Sequence, residues 1–182
     1  MAIYDYLIRA PEGEHVVQFF DDEKSMFETV CLLVFAGLRQ HEGILVIGSP
    51  TRFKSLCDSY SIKPSEQLVF LDAEKTISQI SQDGSWNEKR FKKIMSEPIL
   101  ALKNKFKKVR VWGGIVNHLW DEGNKEAAYE FEAMWERLLP ELPAFFLLHT
   151  YVLNPNIEID AVQKLCGKHS FAADGKRIKA LA

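Results

Sequence analysis

Several features that would assign a chain to a specialised class of protein are missing from this sequence of 182 residues. The three cysteines, Cys31, Cys57 and Cys166, are odd in number, widely spaced and without a CxxC pair, which argues against a disulfide framework or a structural zinc site. No stretch approaches the roughly 20 apolar residues that a membrane span needs. The N-terminus carries acidic residues and no long apolar run, unlike a signal peptide. We therefore expect free thiols and a cytoplasmic location.

A strong charge of one sign is also missing. The formal net charge is −2, from 23 basic and 25 acidic residues, whereas a domain that binds DNA or RNA is usually strongly basic. We therefore expect no direct contact with nucleic acid. One basic cluster stands out, and its pattern is typical of a solvated helix end and loop: Lys103, Lys105, Lys107, Lys108 and Arg110.

The sequence does have an ordinary globular composition, with 47% hydrophobic and 26% charged residues. Short apolar runs predict five strands, at residues 16–20, 44–47, 68–71, 109–112 and 145–151. Longer segments predict helices, at residues 26–39, 51–60, 87–106, 124–138 and 159–165. This alternation predicts an α/β fold of three layers, with a mainly parallel sheet between helices on both faces. We expect one domain over residues 1–172, followed by a loose tail at 173–182.

Local signals refine the helices. Asp21 or Asp22 is placed to cap the helix that follows the first strand, and Asn124 is placed to cap the fourth helix. Pro98 predicts a kink or a division of the third helix. Residues 154–156 predict a turn. Acidic and basic residues are expected on one side of the fourth helix, and an apolar stripe on the other. The stripe consists of Ala127, Phe131, Met134, Trp135 and Leu138.

In an open α/β sheet, ligands bind beyond the carboxyl ends of the strands. That rule predicts a location for a site, although it does not predict a chemistry. We expect no catalytic residues and no metal ligands. The candidate ligand-binding residues at these strand ends are Asp22, Lys24, Ser25, Trp112, Gly113, Gly114, His118, His149 and Tyr151.

The first of these loops resembles a phosphate-binding loop only in part. Residues 18–25 occupy the window of the GxxxxGK[ST] motif and end in Lys24 and Ser25. Gln18 and Glu23 replace the two glycines that let backbone amides face phosphates, and the loop is acidic. Helix capping is therefore the favoured interpretation, and ATP with Mg²⁺ is the alternative.

Two further groups of residues have both a functional and a structural interpretation. His118, His149, Cys166 and His169 are allowed zinc ligands, but they lack a tight spacing rule, so the favoured interpretation is separate structural roles. Aromatic residues near the expected cleft could line an apolar pocket or pack in the core: Trp112, Trp120, Trp135 and Tyr151.

Taken in order, several segments resemble one known family over roughly residues 12–172. The first is the strand at 15–20, followed by Gly37-Leu38, Glu42-Gly43 and Pro50-Thr51. The second runs from the strand and glycines at 109–114 through the acidic turn at 119–124 to Trp135. The last two resemble the family's LLCxY and CxxHS motifs, at 147–151 and 165–170. Together they resemble the MEDS domain, named for methanogens, methylotrophs and the DcmR sensory region.

The resemblance implies a RecA/KaiC-like fold with a degenerate phosphate loop and a sensory role in prokaryotic signalling. Such domains are often joined to histidine kinases or transcription regulators and are proposed to sense small, hydrocarbon-derived molecules. This chain departs from the family pattern at Gly114, where glutamate is frequent, and at His149, where cysteine is frequent. We also expect no attached kinase or DNA-binding output module.

We therefore expect a stand-alone, non-catalytic sensory domain that needs no cofactor. It would bind a small molecule, a signalling partner such as a histidine kinase or transcription regulator, or both. One alternative is a divergent ATP-binding protein or ATPase that uses Lys24 and Ser25. The other is a pure interaction module, such as a homo-oligomer, with a large apolar surface patch and no ligand.

Overall fold

A computed structural model describes residues 3–82, 85–153, 159–167, 169, 171–173 and 178–180. Within these residues, seven strands form one sheet in the order β3-β2-β6-β7-β1-β8-β9, and β4 pairs with β5 in a separate hairpin. Strands β1, β2, β3, β6 and β7 are parallel to one another, as predicted, and β9 is antiparallel to β8. The strand bounds are β1 His15–Phe20, β2 Gly43–Gly48, β3 Leu68–Asp72, β4 Ser81–Gln82, β5 Ser85–Trp86, β6 Val109–Gly113, β7 Phe146–Val152, β8 Phe171–Ala173 and β9 Ile178–Ala180.

Helices cover both faces of this sheet, which confirms the predicted three-layer α/β fold. Their bounds are α1 Ile3–Arg9, α2 Glu23–Arg39, α3 Pro50–Ser59, α4 Ala73–Ile80, α5 Glu88–Lys105, α6 Ile115–Asp121, α7 Lys125–Leu138 and α8 Ile159–Cys166. Helices α1, α2 and α3 pack on one face, which we call the α2 face. Helices α4 to α7 and Leu165 of α8 pack on the other, which we call the α7 face.

Side chains along the central strands alternate between the two faces, as the period of a strand requires. In β7, Leu147 and Tyr151 belong to the core of the α7 face, while Phe146 and Leu148 belong to that of the α2 face. Because both sides are covered, these strands are apolar almost without interruption. The same alternation determines which polar side chains of neighbouring strands lie on the same face of the sheet.

The predicted helix caps are confirmed. The carboxylate of Asp22 accepts the backbone N–H of Ser25 at 2.8 Å at the start of α2. The amide oxygen of Asn124 accepts the N–H of Ala127 at 3.2 Å at the start of α7. Capping is a local interaction, so it can be recognised from sequence.

The sequence predicted a kink or a division of the third helix at Pro98. A division is wrong, and the kink stays a prediction. Helix α5 runs unbroken from Glu88 to Lys105 with Pro98 inside it. Met95, Ile99 and Leu102 are buried on the sheet side of this helix, and that packing outweighs the local cost of a proline in the helix.

Arg110 also differs from the prediction of a solvated basic cluster, because its side chain is fully buried on the α2 face. Its Nε donates to Glu42 Oε2 at 2.5 Å, and its two terminal nitrogens donate to the carbonyls of Leu7 and Ile8 at 2.9 and 3.0 Å. Arg110 thereby holds the end of α1, a helix that the sequence patterns did not predict. Burial lowers the pKa of Arg110, and Glu42 opposes that shift.

The C-terminal segment differs from the expected loose tail in its described part. Strand β8 pairs in parallel with β1, and β9 pairs with β8. These strands cover the edge of β1, whose backbone groups would otherwise lack partners. The predicted turn at 154–156 lies outside the described residues.

Candidate functional site

An open groove of about 410 Å³ lies at the carboxyl edge of the sheet, between the first turns of α2 and α3. We call it the α2–α3 groove. Among the described residues, those that line it come from these two helices: Glu23, Lys24, Met26, Phe27, Thr51, Arg52 and Ser55. Arg52 Nη2 donates to Glu23 Oε1 at 2.6 Å, which links the two helices.

Of the candidates predicted in the first loop, Lys24 lines this groove. Its side chain is 86% exposed, and its Nζ lies 4.0 Å from a carboxylate oxygen of Glu28. Asp22 and Ser25 are engaged with each other, since the Ser25 hydroxyl donates to Asp22 Oδ2 at 2.8 Å. The backbone N–H of Ser25 lowers the pKa of Asp22 most, followed by this hydroxyl.

The next candidates, at the end of β6, are packed against their neighbours. Trp112 points to the α2 face, and its indole N–H donates to Thr150 Oγ1 at 3.0 Å. A Cβ on Gly114 would lie 2.4 Å from the backbone oxygen of Ile47, and a Cβ on Gly113 would lie 2.4 Å from the ring of His149. At both positions, any side chain would therefore overlap a neighbouring group, and only glycine fits.

His118 lies apart, on α6. Its side chain is 27% exposed, and Nε2 is 3.4 Å from Glu122 Oε1. The aromatic candidates Trp112, Trp120, Trp135 and Tyr151 are all buried, which fits core packing.

The remaining candidates meet on the α7 face, where His149 belongs to a buried polar cluster and Tyr151 donates a hydrogen bond to it. We call it the His–Glu cluster and define it as His15, Glu132, His149 and His169. One potential ligand atom from each residue lies within 4.8 Å of the others. His15 of β1 and His149 of β7 point to the same face because β1 and β7 are neighbours and each histidine is two residues from a core residue of that face. Glu132 comes from α7, and His169 follows α8.

Glu132 is the centre of the cluster. Its Oε2 lies 2.7 Å from His149 Nδ1, 3.4 Å from His169 Nε2 and 3.7 Å from His15 Nε2. Its other oxygen, Oε1, accepts the hydroxyl of Tyr151 at 2.6 Å. His15 Nε2 and His149 Nδ1 are themselves 3.1 Å apart.

Burial governs the charges in this cluster. It lowers the pKa of His15 well below the usual range, with further lowering by His169 and His149, and it also lowers the pKa of His149. Burial alone would raise the pKa of Glu132, but His149 and His169 hold it well below its usual range. Burial therefore favours the neutral rings of His15 and His149, which lie beside the carboxylate of Glu132.

The cluster is also incompletely paired. Nε2 of His149 and Nε2 of His169 have no hydrogen-bond partner in the described part of the chain, although both atoms are buried. His169 Nδ1 is 2.8 Å from the carbonyl oxygen of Leu165. A carbonyl only accepts, so Nδ1 carries the hydrogen and Nε2 of a neutral ring carries a lone pair.

The favoured interpretation from the sequence, separate structural roles for these residues, does not describe His149 and His169, and half of the cluster belongs to the alternative zinc set. His149 and His169 were among the candidate zinc ligands, and they do meet, whereas His118 and Cys166 lie outside the group. His15 and Glu132 were missed. The expectation that the acidic residues of α7 face away from the core is wrong for Glu132, which is fully buried. A signal was present, because Glu132 lies four residues after Ala128 and three before Trp135, on the apolar stripe itself.

These features define the class of the protein: an α/β domain with a parallel sheet between helical layers, a groove at the carboxyl edge and a buried His–Glu cluster. The family model for the MEthanogen/methylotroph, DcmR Sensory (MEDS) domain matches residues 14–163. The chain therefore belongs to the MEDS family of sensory domains. A search of curated proteins found no match. Within the described residues, none of the helices is both long and apolar enough to cross a bilayer.

Proposed function

We propose that this MEDS domain senses a small amphiphilic anion that binds in the α2–α3 groove, and that a partner protein reads the resulting change. The observation that carries the proposal is the lining of the groove, which combines apolar side chains with two basic ones. Pockets for small molecules commonly pair an apolar lining with a few polar groups that fix the orientation of the ligand.

The groove offers a distinct contact to each end of such a ligand. Met26 and Phe27 supply apolar surface for a hydrocarbon chain, while Arg52 and Lys24 supply positive charge for an anionic head group. A guanidinium binds a carboxylate through two parallel hydrogen bonds. The N-termini of α2 and α3 lie at the same edge, and the positive ends of their helix dipoles add to the preference for an anion.

The link between Arg52 and Glu23 supports a response to the ligand. An anion in the groove competes with Glu23 for the guanidinium of Arg52, which holds α3 to α2. Leu56 is the one buried residue of α3, so this helix has little buried surface to fix its position. A ligand that binds one position of α3 better than another shifts the balance between the two positions. A histidine kinase or a transcription regulator is the class of partner that the family resemblance implies.

Calorimetry and thermal unfolding with octanoate test the proposal, with acetate and 1-octanol as probes for the two halves of the ligand. We expect saturable octanoate binding that raises the melting temperature, and weaker effects of the other two. Arg52→Ala should weaken octanoate binding by about tenfold, because the loss of one hydrogen bond between charged groups lowers affinity by about that factor. Lys54→Ala is the matched control, since Lys54 lies on α3 with an exposed side chain paired with Asp58. Octanoate binding that is absent, or equally weakened by both variants, contradicts the proposal.

Mg-ATP is the probe for the alternative in which Lys24 and Ser25 hold phosphate. Asp22 already accepts both the backbone N–H and the hydroxyl of Ser25, so we expect no heat of binding. Saturable heat that Lys24→Ala abolishes would favour a nucleotide-binding protein over the amphiphile sensor.

A further inference from the structure

We propose that the His–Glu cluster is a metal site that holds one divalent transition-metal cation, with Zn²⁺ as the cation that suits its ligands. The ligand atoms are His15 Nε2, His149 Nδ1, His169 Nε2 and Glu132 Oε2. The site lies under α7, apart from the α2–α3 groove, so it does not depend on the proposed function. Three imidazoles and a carboxylate are ligand types that Zn²⁺ binds in proteins.

The spacing of the four atoms fits one cation between them. Tetrahedral Zn²⁺ with bonds of about 2.0–2.1 Å places its ligand atoms roughly 3.4 Å apart. In the cluster, the shortest separations are 2.7 Å between Glu132 and His149 and 3.1 Å between His149 and His15. His169 and His15 lie 3.4 and 3.7 Å from Glu132 Oε2. The separations bracket the tetrahedral value.

The distribution of hydrogens in the cluster also calls for a cation. Nε2 of His169 carries a lone pair, because its Nδ1 donates to Leu165, yet Nε2 faces an oxygen of the Glu132 carboxylate. Two acceptors thus face each other in a buried site, which is unfavourable without a positive species between them. A divalent cation would accept the lone pairs of all three histidines and the carboxylate together.

The surroundings of the cluster suit a metal centre. Metal-binding histidines commonly donate their second N–H to a backbone carbonyl, as His169 does to Leu165, and metal-binding carboxylates are hydrogen-bonded in turn, as Glu132 is by Tyr151. Two of the ligands lie on central strands and a third on α7, so they are held by packed elements. The absence of a side chain at Gly113 leaves the space that the ring of His149 occupies.

Metal content and spectroscopy test the proposal on the full chain. The purified protein is stripped with a chelator, equilibrated with Zn²⁺ or Co²⁺, and freed of excess metal by gel filtration. We expect one equivalent of either metal per chain, and a Co²⁺ visible spectrum of the intensity that tetrahedral nitrogen and oxygen ligands give. A thiolate-to-cobalt band would assign the metal to a cysteine and overturn the proposal.

Variants locate the bound metal. His15→Ala and His169→Ala should each lower Zn²⁺ affinity by at least about tenfold, since even the loss of an outer hydrogen-bond partner has an effect of that size. The chain has five histidines, so the double variant His41→Ala/His118→Ala removes the two outside the cluster and serves as the matched control. If a folded wild-type protein binds no metal, or if the control loses as much affinity as the cluster variants, the proposal is wrong. The Co²⁺ spectrum of the wild type needs no variant and stands even if one fails to fold.

Discussion

The two faces of the sheet each bury an ionic group, and the two groups differ in how completely their polar atoms are paired. On the α2 face, Arg110 donates from Nε and both terminal nitrogens to Glu42 and to backbone carbonyls. On the α7 face, the His–Glu cluster leaves two buried imidazole nitrogens unpaired in the described residues. A buried charge with all its partners can serve the fold alone, whereas the lone pair of His169 Nε2, which faces the Glu132 carboxylate, lacks a positive partner.

The comparison also separates the roles of the two groups. Arg110 reaches the backbone oxygens of Leu7 and Ile8 in α1 and so acts as a clamp between this helix and the sheet. The His–Glu cluster gathers side chains only, from two strands, a helix and the segment after α8. The first arrangement stabilises a packing of elements, and the second presents ligand atoms to a common point.

The largest expected effect comes from breaking the Arg110 clamp. Arg110→Met removes the closest partner of the buried Glu42 carboxylate, which then faces Lys108 Nζ at 3.7 Å. It should lower the free energy of unfolding by about 3–5 kcal/mol, as measured by urea titration. The double variant Arg110→Met/Glu42→Leu should recover part of that loss, because no charge is then left buried. If the free energy of unfolding of Arg110→Met lies within about 1 kcal/mol of the wild-type value, Arg110 does not stabilise the fold as a clamp.

Alanine substitutions at two glycines distinguish the effect of overpacking on stability from an effect on metal binding. A Cβ on Gly113 would lie 2.4 Å from the ring of His149, and a Cβ on Gly48 would lie 2.7 Å from the ring of Trp112 on the opposite face. Gly113→Ala and Gly48→Ala should each destabilise the protein by about 1–3 kcal/mol through overpacking. Only Gly113→Ala should also weaken Zn²⁺ binding, because it displaces a ligand. If the two variants bind Zn²⁺ with equal affinity, His149 is not a ligand of the metal.

The smallest effect is the pH dependence of the metal-free protein. His15 and His149 have lowered pKa values in the folded state and face each other, His169 and Glu132. The unfolded chain takes up protons at these histidines near their ordinary pKa of about 6.5. Stability should therefore be present above that pH and fall as the pH drops below it, by up to about 1.4 kcal/mol per pH unit for each histidine.

Urea titrations between pH 5 and 8 measure this slope, over a range where the lowered pKa of Glu132 adds little. His15→Ala should flatten it, while His41→Ala/His118→Ala should leave it unchanged. An identical slope in all three proteins would mean that His15 has the same pKa in the folded and unfolded states and would contradict the prediction.

The sequence by itself determined the features that depend on neighbouring residues. Asp22 and Asn124 cap helices through N–H groups three residues away, and the continuous apolar runs indicate strands that are buried on both faces. The order of strands and helices then restricts the connections to a mainly parallel sheet. That was enough to predict the layers of the fold and, together with the family motifs, the membership in the MEDS family.

The tertiary structure alone decided how the polar groups are buried. His15 and His149 are 134 residues apart and meet because β1 lies beside β7, a pairing that no local pattern encodes. Arg110 belongs by sequence to a basic cluster, and it is buried because β6 lies at the centre of the sheet and α1 covers it. Capping and periodicity act over a few residues, so they are visible in the sequence, whereas a partner for a buried charge is provided by whichever segment the fold brings beside it.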